Sequence, residues 1–159
     1  MADVIAPSFG NPVHTAEYGN AAASIRLRWR AAALTNGDVI VFGILPAGAT
    51  ITDVQMVNTA SSASTTMKIG FRNADGTTTS PDTGVATYQA PADDYWIAAT
   101  SIASAARTRA GAPGTVANGK GLALRLNKDI ILIGTLGGAN IATDTIIEVQ
   151  VSFVTEGAK

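Results

Sequence analysis

Few side chains in this 159-residue chain could do catalytic chemistry, and their spacing matches no recognised active site. The one histidine, His14, lies between Pro12 and Gly19, in a segment with little reason to hold an imidazole rigid as nucleophilic catalysis requires. The absence of cysteine excludes thiolate chemistry, disulfides and Cys-ligated zinc. One histidine without cysteine is a poor start for any zinc site. We therefore expect a protein that is not an enzyme and that needs no cofactor or metal ion.

The carboxylates also lack the spacing of an active site or of a calcium loop. Asp93 and Asp94 are adjacent, so in a strand they would point to opposite faces. Asn73, Asp75 and Gly76 could offer oxygens to calcium, but this combination is ordinary turn chemistry. Two carboxylates that are distant in sequence and meet in the fold, as in glycosidases, stay open on this basis.

The polar residues with the clearest spacing are three arginines. Arg26, Arg28 and Arg30 alternate with apolar residues over positions 24–30, a pattern typical of a half-buried strand. Three guanidiniums on one strand face repel one another unless solvent, carboxylates or a partner balance them. These three arginines, which we call the arginine ladder, therefore form either a solvated outer face or a docking face for an acidic partner. Arginine is enriched at interfaces and pairs bidentately with carboxylates.

Four further residues are candidates for an interface. Arg107 and Arg109, which we expect in a long Gly/Pro-punctuated loop, allow the same two interpretations as the ladder. Tyr95 and Trp96, together with Tyr88, could pack in a core or an interface, or could line a carbohydrate-binding groove.

Composition limits the class of protein and its partners. The chain is 47% hydrophobic and only 14% charged, with a net charge of −1, which fits one β-rich domain and not a disordered chain. No clustered excess of Lys and Arg provides a footprint for nucleic acid. The N-terminus does not resemble a secretory signal, and no apolar run approaches the roughly 18 residues of a membrane span. Neither nucleic acid nor a membrane is an expected partner.

Short apolar-alternating segments separated by turn signals predict an all-β fold, namely a single antiparallel, jelly-roll-like β-sandwich. Residues 93–106 are ambiguous, because alanines favour a helix there whereas Tyr95, Trp96 and Ile97 favour a strand. A further short strand is possible at 85–89. The expected strands are 24–30, 38–43, 50–58, 66–72, 122–126, 129–136 and 144–154.

Residues 1–22 have no sustained periodicity and read as an extended N-terminal arm that precedes a β-sandwich domain of residues 23–159. The arm is either a frayed terminus or a segment laid over a neighbouring subunit. Ile5, Phe9 and Tyr18 would then be its apolar anchors.

Two segments of the chain echo each other. Residues 36–53 and 127–144 share seven identities over eighteen positions at a constant offset of 91, without a gap. Similar turn chemistry in two hairpins would explain this. Alternatively the two hairpins occupy related places in a pseudo-symmetric sandwich, as the two Greek keys of a jelly roll do, and would superimpose around the core.

Three segments together resemble the capsid decoration, or cement, proteins of tailed bacteriophages. They are the Leu-Pro-Ala-Gly-Ala unit within 38–54, the Asp-Tyr-Trp-Ile segment at 94–102 with the Ala/Arg/Thr/Gly stretch 103–111, and the closing pair 129–136 and 145–154. The resemblance implies a jelly-roll-like sandwich on the capsid exterior, made in the host cytoplasm. It implies contacts with the major capsid protein and with copies of itself, often as a trimer. It brings no catalytic residues.

The sequence therefore predicts a virion structural protein that decorates or cements a phage capsid through repeated contacts, since many weak contacts give large avidity. Two alternatives remain at this point. One is another phage structural component, such as a tail tube or a head–tail joining protein. The other is a carbohydrate-binding β-sandwich.

Overall fold

The computed structural model describes residues 3–5, 22–30, 34–82, 90–111 and 123–155. Within these residues the chain forms strands and no helix, which confirms the predicted all-β class. The ten strands are β1 Asp3–Ile5, β2 Ala22–Arg30, β3 Val39–Leu45, β4 Ala49–Asn58, β5 Thr66–Asn73, β6 Ala92–Ser101, β7 Ala106–Arg109, β8 Leu124–Arg125, β9 Ile130–Gly137 and β10 Ile146–Thr155.

The strands form two sheets that pack as a sandwich. The first sheet has the order β1-β3-β9-β5-β6, and the second has the order β2-β10-β4-β7, with β8 also beside β4. Apart from the β5–β6 pair, consecutive strands from β2 to β7 lie in opposite sheets, and so do β9 and β10. This is the order of a jelly roll. Every pairing is antiparallel except that of β1 with β3.

The core lies between the sheets because alternate residues of each strand point inward. On β10, Ile147, Val149, Val151 and Phe153 are buried and the residues between them are half-buried. On β2, Leu27 and Trp29 are buried and the intervening arginines are exposed, as the alternation predicts.

The segment 38–54 is not a hairpin, because β3 lies in the first sheet and β4 in the second. The turn between them carries the chain across the sandwich, with Gly48 at φ +88°, a conformation that glycine adopts without steric cost. Ala47 N donates to Asp129 Oδ1 over 2.8 Å and so ties this turn to the start of β9. The expectation of paired strands within each echo unit is therefore wrong.

The first strands of the two echo units nevertheless lie side by side, since β3 pairs with β9 in antiparallel orientation. Residues 127–144 end before β10 begins at Ile146, so β4 of the first unit has no counterpart strand within the second. The side chains differ locally, since Asp38 accepts hydrogen bonds from Thr35 of its own turn whereas Asp129 accepts one from Ala47 of the other unit. The likeness thus holds for the pairing of β3 with β9 and not for these contacts. Superposition of the two units remains a prediction.

The ambiguous segment 93–106 is extended. The register of β6 against β5 shifts between Ile69↔Ile97 and Phe71↔Ala92, so β6 holds three more residues than β5 over this interval. This irregularity breaks the strict alternation, and the consecutive residues Tyr95, Trp96 and Ile97 are all buried.

The predicted N-terminal arm contributes a strand that the sequence pattern did not indicate. β1 pairs in parallel with β3, with Asp3 opposite Val39 and Ile5 opposite Val41. Phe9 and Tyr18 of the arm, and the strand considered at 85–89, lie outside the described residues.

Candidate interaction surface

The outward face of the second sheet gathers arginines from both of its outer strands. Residues that are directly opposite in a ladder share a face. One such row runs from Arg28 through Glu148 and Val57 to Arg107. We call this surface the arginine face. It is defined by Arg26, Arg28 and Arg30 of β2, Glu148 and Gln150 of β10, Asp53, Gln55 and Val57 of β4, and Arg107 and Arg109 of β7.

The fold thus unites two sets of arginines that are about 80 residues apart in sequence. Arg107 and Arg109 lie in strand β7 and not in the loop expected there, which corrects the prediction. Their pairing with Val57 and Gln55 places them on the same face as Arg26 and Arg28.

A half-buried carboxylate holds the arginines of β2. Nε and Nη2 of Arg28 donate to Oε2 of Glu148 over 3.2 and 2.9 Å, and Nε of Arg26 lies 3.9 Å from Oε1 of the same group. The Glu148 side chain is only 15% exposed, whereas those of Arg26 and Arg28 are 67% and 66% exposed. The carboxylate is therefore recessed between two guanidiniums that reach into solvent.

A second recessed carboxylate, that of Asp53, binds Arg109 at the opposite edge of the face. Nε of Arg109 donates to Oδ1 and Oδ2 of Asp53 over 3.0 and 2.9 Å. The Asp53 side chain is 23% exposed and that of Arg109 is 74% exposed. The hydrogen bond to Asp53 and its negative charge raise the pKa of Arg109, so this guanidinium stays charged.

The two inner strands of the face also present uncharged side chains. Gln55 Nε2 donates to Gln150 Oε1 over 2.9 Å, and half-buried Val57 lies in the next row. Arg30 pairs with exposed Asp144 over 2.9 Å at one corner. With Asp144 counted beside Glu148 and Asp53 of the face, five arginines meet three carboxylates, which leaves an excess of two positive charges on a chain whose net charge is −1.

Three residues on or beside the arginine face, Glu148, Asp53 and Arg125, were not among the interface residues predicted from the sequence. Glu148 and Asp53 could be recognised as partners of the arginines only once the strand order was known. Arg125 lies opposite Thr50 at the margin of the same sheet, through the two-residue strand β8. Strand alternation could have placed Glu148 on an outer face but not beside Arg28.

The outward face of the first sheet carries an apolar cluster, beside which Lys68 and Arg72 of β5 lie opposite Thr135 and Ile131. Val39, Val41 and Ile133 are buried although they point away from the main core, and half-buried Ile131 packs against them. We call these four residues the outer apolar cluster. An open pocket of about 470 Å³ adjoins the cluster, with Ile131 and Ile133 among its lining residues.

The polar rim of that pocket is a hydrogen-bonded loop. Asp75 Oδ1 accepts from Thr77 N over 2.9 Å and from Thr77 Oγ1 over 2.7 Å, and Lys128 Nζ donates to Asp75 Oδ2 over 3.1 Å. The contacts with Thr77, and then with Lys128, lower the pKa of Asp75 to about 2. Asn73 Nδ2 donates to the carbonyl oxygens of Thr77 and Thr79 and closes the loop.

The possible calcium turn at Asn73, Asp75 and Gly76 is thus occupied by the ammonium group of Lys128, which bonds both Asp75 and Thr77. Across the described part of the chain, no three or more His, Cys, Asp and Glu side chains gather in a way that could hold a metal ion. The same residues include no helix with the length and apolar character that crossing a membrane requires.

Tyr95 and Trp96 are not interface residues in this fold, which corrects their assignment. They are 0% and 1% exposed, and their rings pack against Phe71 with centroid separations of 5.0 and 5.4 Å. Two such aromatics in the core cannot line a carbohydrate groove, and Tyr88 lies outside the described residues. The carbohydrate-binding alternative therefore loses the residues on which it depended.

Three solved structures share this fold. A chain of the capsid of Ralstonia phage GP4 matches with a TM-score of 0.69 at 13% identity, covering 99% of each chain. A chain of the cyanophage Pam1 capsid asymmetric unit matches with a TM-score of 0.54 at 15% identity, covering 91% of this chain and 90% of that one.

The third is a chain of the acidic stable capsid structure of Helicobacter pylori bacteriophage KHP30. It matches with a TM-score of 0.54 at 14% identity, covering 86% of this chain and 90% of that one. No protein-family model and no curated protein matches the sequence. At these identities the three likenesses establish a common fold.

Proposed function

We propose that this chain is a structural protein of a phage virion that decorates or cements the capsid. One observation carries the proposal: the fold spans nearly the whole of a chain from a phage capsid, with 99% coverage on both sides. Two further phage capsid structures contain chains of the same fold. The segments of the sequence that resemble decoration proteins support the finer assignment.

The surface of the molecule is consistent with an assembly role and not with catalysis. Its best-organised polar feature is the arginine face, whose carboxylates are each engaged with a guanidinium. Such a surface can bind and orient a partner, but it offers no nucleophile beside a base. In this proposal the protein is not an enzyme, lies on the capsid exterior, and contacts the major capsid protein and its own copies as a trimer.

The test is quantitative mass spectrometry and cryo-electron microscopy of purified virions from the phage that encodes the chain. The proposal predicts copies of the chain at symmetry-related positions over the outside of the whole shell. Particles made without the chain should lose their DNA at a lower temperature. Absence from the particles would overturn the proposal. A single ring of copies at one vertex would instead favour a head–tail joining role.

A further inference from the structure

We propose that the arginine face binds an acidic protein surface, whose carboxylates dock onto the guanidiniums of β2 and β7. This inference deepens the proposed function and rests on it, since the partner would be another protein of the virion. Three features support binding of such a partner: the type of cation, its fixed position and the uncharged side chains between the two columns of arginines.

All five cations of the face are arginines, although lysine would suffice for solubility. The described lysines, Lys68 and Lys128, belong instead to the first sheet and its adjoining loop, where each pairs with an aspartate. Interfaces are enriched in arginine and depleted in lysine, because the planar guanidinium binds carboxylates through two parallel hydrogen bonds. Six of the seven described arginines lie on the second sheet, and Arg72 of β5 is the exception. This bias toward arginine marks the second sheet as the binding side.

The guanidiniums are also positioned before any partner arrives. Glu148 and Asp53 each use one side of an arginine and leave most of its surface exposed. An arginine that is already held loses less conformational entropy when it binds a second carboxylate. Recessed carboxylates therefore prepare the arginines for binding and do not neutralise the face.

The spacing of the face defines what the partner must offer. Alternate residues on a strand are about 7 Å apart, so Arg26 and Arg28 are one such step apart. The β2 and β7 columns are three strand spacings apart, about 14 Å. A flat acidic surface, or a strand with carboxylates at alternate positions, would meet both columns at once.

A protein suits this face better than nucleic acid. The inner strands between the columns present the Gln55–Gln150 amide pair and Val57 beside the recessed carboxylates of Glu148 and Asp53. The uncharged groups give a protein partner polar and apolar contacts that a phosphate backbone would not use. An excess of two positive charges is also small beside what nonspecific DNA binding uses.

The experiment compares two matched double variants of the full chain. Arg28→Gln with Arg107→Gln removes two charges from the arginine face, and Lys68→Gln with Arg72→Gln removes two charges from the first sheet. Binding is measured by calorimetry at low salt to poly-L-glutamate and to duplex DNA. Cosedimentation measures binding to capsids made without the chain. Thermal melting verifies that both variants fold.

We expect the face variant to bind both poly-L-glutamate and capsids at least about tenfold more weakly, and the first-sheet variant to stay within about twofold of the unmodified chain. Equal loss in both variants would overturn the inference, because net charge alone would then explain binding. So would tighter binding to duplex DNA than to poly-L-glutamate, or no binding to poly-L-glutamate.

The measurement of binding to capsids distinguishes failure of this inference from failure of the proposed function. If the unmodified chain binds capsids and the face variant binds them equally well, the inference fails and the proposed function stands. If the unmodified chain binds poly-L-glutamate through the face but never capsids, the proposed function fails and the chemistry assigned to the face stands.

Discussion

The two outward faces of the sandwich differ in chemistry although the two sheets are of similar size. The second sheet presents exposed arginines with recessed carboxylates. The first presents the outer apolar cluster, of which Val39 and Ile133 are each only 1% exposed. The arginines of the second face are thus available to a partner in solution, whereas the apolar cluster of the first face is already covered within the molecule.

The difference has its origin in strand pattern. β10 alternates buried and half-buried residues, as a strand with one solvated face does. β3 is buried at five successive positions, Val39 to Gly43, because both of its faces are covered. Contacts on the first outer face therefore stabilise the monomer, while contacts on the second are available for association. Substitutions on the first outer face should therefore lower stability more than comparable substitutions on the second.

The largest expected effect is at Gly70, which lies opposite Ile133 on the first sheet. An added Cβ would overlap the carbonyl oxygen of Ala92, and backbone cannot swing aside as a side chain can. We expect Gly70→Ala to lower the free energy of unfolding by about 3 kcal/mol or more. Urea denaturation followed by tryptophan fluorescence measures this.

Gly43→Ala is the matched control on β3, since its Cβ would meet only the Leu27 methyl groups at 3.5 and 3.6 Å. It should change stability by no more than about 1 kcal/mol. If both alanines were tolerated equally, the close approach of β6 to Gly70 would not be a constraint on the first sheet.

A smaller effect distinguishes the two faces with one chemical change. Val41 and Val57 both lie between two neighbouring strands, on the outer faces of the first and second sheets. Val41→Ala removes buried methyl groups and should cost about 2 kcal/mol. Val57→Ala removes half-buried ones and should cost less than about 1 kcal/mol.

Because the strand cost of valine to alanine mainly reflects packing and burial, the difference between the two variants reports how well each face is packed. The urea unfolding midpoints of the Val41→Ala and Val57→Ala variants, measured under the same conditions, test this comparison. Equal midpoints would mean that the first outer face is no better packed than the second, and the contrast drawn between them would not hold.

Strand alternation predicted much of this architecture because it is a local property. Arg26 and Arg28 are outward and Leu27 is inward for the same reason that the β-class was predictable: side chains on a strand alternate. Continuous apolar sequence around Ile130–Ile133 likewise reflects a strand covered on both faces, although sequence alone does not say what meets the outer side.

Long-range pairing was not predictable in the same way. Arg107 reaches the arginine face only because β7 pairs with β4, and no local pattern encodes the match of Val57 with Arg107. The extra residues in β6 hid the burial of Tyr95 and Trp96, because alternation places neighbouring residues on opposite faces. The candidate site therefore required the strand order, whereas its β2 half could be read from the sequence.

The smallest expected effect concerns the polar rim beside the outer apolar cluster. It tests whether polar contacts also stabilise this part of the first sheet. Bonds from Thr77 and Lys128 hold the pKa of Asp75 at about 2, below its ordinary 3.8. A carboxylate with a lowered pKa in the folded state stabilises that state above its ordinary pKa. That contribution is lost as pH falls from about 4 through about 2.

Carboxyl-detected NMR should find Asp75 titrating near pH 2, and Asp75→Asn should flatten the pH dependence of stability within this window. Titration of Asp75 near 3.8 would show that the rim contacts do not persist in solution, and the first outer face would then depend on its apolar packing alone.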